Sequence, residues 1–142
     1  MEDTITGVEF YSNVKTSEVE WIWYPYIPCG KITMLQGDPG EGKSTLIIHI
    51  AAILTKGRYL PDGQKIKKPE IVIYQCSEDG KGDTIKPRLE QAGADCNRVA
   101  FIKDDNGELT LEDERIKNAI NQIGAKWLCL IRYRHLLGIM EI

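Results

Sequence analysis

Long apolar runs are missing from this chain of 142 residues. A membrane-spanning helix needs about 18 or more consecutive apolar residues. The longest apolar stretches here, 46–54 and 127–131, are far shorter, and His49 interrupts the first. Positive charge is also in short supply. There are 18 Lys and Arg against 21 Asp and Glu, a net charge of −3 with a pI near 5.4. That excludes nucleic-acid binding through a basic surface spread over the whole molecule, while a local patch or an oligomeric ring stays open. The four cysteines (Cys29, Cys76, Cys96 and Cys129) form no CxxC and no Cys/His ligand spacing. Neither zinc nor a disulfide framework is indicated, and buried thiols are the expectation. The start, Met1-Glu-Asp-Thr, is acidic and has no apolar core, so no secretory signal is expected and the reading is cytoplasmic.

What is present is a globular balance, with 42% hydrophobic and 27% charged residues, in a length suited to about one domain. Strands are expected at 9–14 and 18–23, followed by an extended connector where Pro25 and Pro28 forbid helix. Residues 31–36 read as a short buried strand stopped by Gly37. Residues 43–56 read as a helix that is apolar all round and therefore buried, with Gly57 as its stop and His49 as a packed core residue. A β-branched buried strand follows at 71–75, then a helix to about Ala92 capped by Asp83 or Thr84, with Pro87 in its first turn. Residues 99–102 form another short strand. Thr110 and Asp113 resemble a capping box for a helix whose face is Ile116, Ala119, Ile120 and Ile123, ended by Gly124. The last apolar strand is 127–131. Alternating strands and helices imply an α/β fold, a mostly parallel sheet with helices on both faces.

Residues 37–44, Gly37-Asp38-Pro39-Gly40-Glu41-Gly42-Lys43-Ser44, fit G-x-x-x-x-G-K-[ST] in full, between an expected strand and an expected helix. The glycines let successive backbone N–H groups turn inward around an anion, and the following helix aims its positive end at the same point. Lys43 can reach the β- and γ-phosphates of a nucleotide, and the Ser44 hydroxyl can ligate Mg²⁺. Binding of a nucleoside triphosphate is the firmest functional reading. Strand 71–75 leads into Cys76-Ser77-Glu78-Asp79-Gly80, at the end of a parallel strand where ligands collect. A carboxylate there can polarise an attacking water, or it can belong to a solvated acidic loop. The residues alone leave both readings open.

From Glu20 onward the chain resembles a RecA-like P-loop ATPase family of phages, plasmids and integrated elements. The matching text is Glu20-Trp-Ile-Trp-Tyr-Pro-Tyr-Ile-Pro-x-Gly-Lys31, Gln36-Gly-Asp-Pro-Gly-Glu-Gly-Lys-Ser-Thr45 and Gln75-x-Ser-Glu-Asp-Gly80. Asp83-Thr-Ile-Lys-Pro-Arg-Leu-Glu90 and Leu109-Thr-Leu-Glu-Asp113 match as well. The family is related to RepA-type hexameric replicative helicases and, more distantly, to RadA-type repair ATPases. The resemblance implies an ATPase using ATP and Mg²⁺, working on DNA as a homo-oligomeric ring, with no membrane. It assigns Lys43 and Glu78 as catalytic, Glu78 as the base, and extends nucleotide binding through Thr45. The aromatic cluster Trp21, Trp23, Tyr24 and Tyr26 is expected to pack an N-terminal β element on the core, with a nucleobase or subunit contact as the alternative.

The family also carries an Asp-Pro followed by a Gln at the tip of the strand matching 127–131, where the aspartate holds Mg²⁺. Here the text is Leu130-Ile131-Arg132-Tyr133-Arg134-His135, a cation in place of the anion. Residues 130–138 can be encoded as TTG ATC CGA TAC AGG CAT TTA TTG GGG. Read from the last base of the first codon, the same text gives Asp-Pro-Ile-Gln-Ala-Phe-Ile-Gly. A frameshift near codons 128–130 is therefore expected. The strand after 127–131 should lie between it and the phosphate-loop strand, and a chain of this length is expected to lack it unless 136–142 improvise a replacement. The expected division is 1–28 as N-terminal β element and connector, 29–131 as ATPase core, and 132–142 as an atypical tail. The leading reading is a fragment with weak nucleotide binding and little hydrolysis. The alternatives are a non-enzymatic nucleotide-binding module that joins a full-length partner, and a P-loop small-molecule kinase.

Overall fold

A computed structural model describes residues 7–38, 40–77, 79–103, 107, 109–110 and 112–131, and the backbone of 137–141. A two-stranded hairpin, β1 (Trp21–Trp23) and β2 (Ile27–Pro28), precedes a five-stranded sheet. The sheet consists of β3 (Ile32–Leu35), β4 (Val72–Cys76), β5 (Val99–Ala100), β6 (Trp127–Ile131) and β7 (Leu137–Glu141), in the order β3-β7-β6-β4-β5. β4 pairs in parallel with both β5 and β6, whereas β7 runs antiparallel to β6 and β3. β3 therefore points the same way as β4, β5 and β6. The sheet is mostly parallel, as expected.

Helices cover both faces because the β4 and β6 side chains alternate between them. Val72, Tyr74, Cys76, Trp127, Cys129 and Ile131 face one core with Ile47, Ile50 and Leu54 of α1 (Lys43–Lys56) and Leu89 of α2 (Lys86–Gln91). Ile73, Leu128 and Leu130 face the other core with Ile116 and Ile120 of α3 (Glu114–Ile123). Both strands are buried along their whole length, the pattern of central parallel strands.

Several local expectations change. Residues 9–14 form no strand; they are exposed, with a short 3₁₀ turn at Tyr11–Asn13. β3 is half-exposed, with Ile32 at 53% and Met34 at 61%, because it is an edge strand with only one side packed. α1 is not buried all round. It lies in an outer layer, so a stripe through Leu46, His49 and Lys56 faces outward and His49 is exposed. Gly57 ends α1 as expected, with φ of 63° and its N–H bonded to carbonyls of the last turn.

Neither Asp83 nor Thr84 caps a helix by its side chain. A π-helical turn at Lys81–Ile85 runs straight into α2, with Pro87 in the first turn of α2. Asp113 itself caps α3, accepting from the Arg115 N–H at 2.9 Å, while Thr110 contributes only a carbonyl to the Asp113 N–H. The Arg115 side chain also donates to Asp113 and holds its carboxyl below the usual range. Cys76 and Cys129 are buried thiols, and burial pushes the Cys129 thiol upward, but Cys29 and Cys96 are only half-buried.

The missing-strand expectation is resolved by its own exception. β7 lies between β6 and β3, so β6 has no open edge. Only five residues separate Ile131 from Leu137, too few for the crossover a parallel strand would need. Reversal is the geometry left, and β7 is antiparallel to both neighbours.

Gln75 extends the β4 edge beyond the two-residue β5. Its side-chain amide donates to the Ile102 carbonyl at 3.0 Å and accepts the Ile102 N–H at 2.8 Å, copying a backbone pair. Replacing Gln75 with Leu removes both bonds from a part-buried site, with an expected loss of about 1–3 kcal/mol. Urea unfolding checks this; a midpoint equal to wild type would show that 101–103 do not depend on the clamp.

Candidate functional site

β3, β4 and β6 share a direction, so their carboxyl ends meet one edge of the sheet. Gly37 and Asp38 follow β3, and Ser77 and Asp79 follow β4. Crevices outside such ends are where parallel sheets bind ligands. β3 and β4 are three strand positions apart, about 14 Å at ordinary spacing.

The glycine-rich loop leads directly into α1. Gly40 and Gly42 take φ of 86° and 83°, a left-handed conformation that a side chain would resist, and this turns the chain back on itself before the helix. Gly42 is the N-cap, and no side chain caps the helix. The N–H groups of the first turn are thus left for an anion, and no acidic residue of that turn competes for the position. Such a helix start fits a phosphate group.

Lys43 bends over this loop. Its ammonium donates to the Gly37 carbonyl and, at 3.0 Å, to the Asp38 carbonyl. Ser44 is half-buried beside it and Thr45 is exposed. Glu41 folds across the loop, where its carboxylate accepts the Asp38 N–H at 2.7 Å. A Cβ on Gly37 would push that same carboxylate oxygen aside, so this contact depends on glycine there.

Thus Gly37, Asp38, Gly40, Glu41, Gly42, Lys43, Ser44 and Thr45 come together at one helix start. Pro39 and Glu78 lie outside the described residues, as does Arg132. Asp79 is exposed at the end of β4. Among the described residues no group of three or more His, Cys, Asp or Glu could hold a metal ion. No helix among them is long and apolar enough to cross a membrane.

The Glu41 contact escapes sequence reasoning, which treats this position as the variable x of the motif. Its only sequence signal is an acidic residue inside a loop built for anions. The Trp21 to Tyr26 aromatics also divide in a way the sequence does not specify. Ile22 and Trp23 pack against the core, while Trp21, Tyr24 and Tyr26 are exposed.

A family model described as "AAA domain" matches residues 4–132. The chain belongs to this AAA domain family. With the sheet described above, the fold of this AAA domain is a RecA-like P-loop core. The DNA repair protein RadA of Mycolicibacterium smegmatis is 27% identical over 105 residues, which cover 74% of this chain and 20% of that protein. The chain thus spans about a fifth of the length of the curated relative it matches. No solved structure matches it.

The Glu41 carboxylate adds negative charge where this AAA domain would receive phosphate. Glu41→Gln should tighten binding of a fluorescent ATP analogue by about threefold to tenfold, the scale of one exposed unit charge at close range. Fluorescence titration at low salt reads this. Unchanged or weaker binding would show that the carboxylate does not oppose the ligand.

Proposed function

We propose that this chain is the ATP-binding part of a RecA-like ATPase that acts in DNA replication or repair of a mobile element as a helicase-like motor. The observation that carries the reading is the uncapped start of α1 beneath Lys43, within a complete phosphate-loop motif. The triphosphate would lie along 37–45, held by loop N–H groups. Lys43 would then exchange its loop carbonyls for phosphate oxygens and neutralise their charge. Mg²⁺, held through Ser44, would supply further neutralisation of the phosphate oxygens. Glu78 would orient and polarise the attacking water as general base.

The relation to a protein named for DNA repair supports the DNA-directed part. A homo-oligomeric ring and a cytoplasmic location belong to the same proposal. Arg132 stands where the resemblance places a metal-holding aspartate. The chain by itself should accordingly bind nucleotide weakly and hydrolyse little.

Equilibrium binding of the fluorescent ATP analogue with Mg²⁺ tests the reading. Wild type should bind, and Lys43→Ala should weaken binding about tenfold or more, since charge-assisted contacts to phosphate are lost. Equal affinity of the two proteins would overturn the assignment. DNA-stimulated ATP turnover by the purified chain would contradict the expected low activity.

A further inference from the structure

Trp21 and four lysines have no part in the nucleotide site, yet they share one groove. It has a volume of about 580 Å³. It is lined by Trp21 and Ile22 of β1, by Lys65, Lys67 and Lys68 of the loop before β4, and by Lys126 just ahead of β6. Leu54 near the end of α1 also lines it. The groove therefore sits at the opposite end of α1 from the glycine-rich loop, and α1, at 14 residues, is about 21 Å long.

Its charge runs against that of the molecule. Four lysines face two glutamates, Glu20 and Glu70, in a chain whose net charge is −3. Lys65, Lys67 and Lys68 are exposed and Lys126 is half-buried. Trp21 is 38% exposed, and its ring meets the more exposed Tyr24 edge-on at 5.0 Å. Lys65 also lies over the exposed Tyr59 ring, 5.8 Å from its centroid.

The walls are fixed in place. Trp23 Nε1 donates to Asp62 Oδ2 at 2.9 Å, and Gln64 Nε2 donates to the Tyr24 carbonyl at 2.7 Å, which ties the hairpin to the lysine loop. The Glu70 N–H donates to the Leu54 carbonyl, and the Ile66 N–H to the Arg58 carbonyl, which ties that loop to the end of α1. A groove held this way loses little conformational freedom when it is occupied.

We propose that this groove binds single-stranded nucleic acid. The lysines follow its phosphates, and the Trp21–Tyr24 pair offers aromatic surface to an unstacked base. Lysines alone would suit any polyanion; the exposed aromatic pair beside them selects one that carries planar groups free to stack. A duplex keeps its bases stacked inside and could use only the lysines. The inference deepens the DNA-directed reading above while using none of residues 37–45, so the two can fail separately.

The test is binding of labelled oligothymidylate to the full chain at low salt, read by anisotropy and by quenching of tryptophan fluorescence. Wild type should bind with quenching, and Lys43→Ala should bind equally well. Lys67→Glu with Lys68→Glu should weaken binding about tenfold or more and lower the salt slope by about 1.4, at about 0.7 per phosphate contact. Trp21→Ala should weaken it about tenfold, and Trp21→Phe should retain most of the affinity, which separates stacking from damage to the fold. Affinity unchanged in the lysine variant would overturn the proposal. So would a preference for duplex, or equal competition by polyglutamate together with an unaltered Trp21→Ala.

Discussion

The parallel ladder between β4 and β6 is the constraint on which the rest of the molecule depends. Its five paired positions, from Val72 with Trp127 to Cys76 with Ile131, are all buried. Each step along it sends side chains to alternate faces, so one ladder organises two cores at once. A one-residue slip of β6 along β4 would turn Trp127 away from α1 and toward α3, where Leu128 now fits. The same ladder aligns the carboxyl ends of its strands, bringing the residues after β4 to the edge occupied by the glycine-rich loop.

The two ends of the sheet then differ in chemistry. At the carboxyl end, glycines, Lys43 and an uncapped helix suit compact phosphates. At the amino end, lysines and exposed rings suit an extended anion with flat groups. α1 joins them as one buttressed rod, with its last turn bonded to the loop that carries the lysines.

What the sequence made legible was what short-range chemistry decides. The bounds of α1 follow from the glycine-rich turn before it and from Gly57 after it, and those of β6 from five apolar residues in a row. The loop residues were legible because their motif encodes backbone shape. Other features depend on partners far along the chain. Residues 9–14 look like a strand, but no neighbouring strand pairs with them. His49 looks buried among apolar residues until the sheet determines which side of α1 it covers. Gln75 reads as one more strand residue, and only the nearness of Ile102 makes it a clamp. The lysine groove needs Lys126 to meet a loop some sixty positions earlier, which no local pattern announces.

The antiparallel β7 has a consequence for how the molecule is made. Among the described residues, β3, which leads into the glycine-rich loop, has β7 as its sole neighbour in the sheet, and β7 follows the other strands along the chain. During synthesis β4, β5 and β6 can assemble while β3, with its exposed Ile32 and Met34, still waits for a partner. Such long-range closure is slow relative to local pairing and leaves an apolar edge open to other nascent chains. Of the described strands, the one that carries the site is therefore the last to be secured.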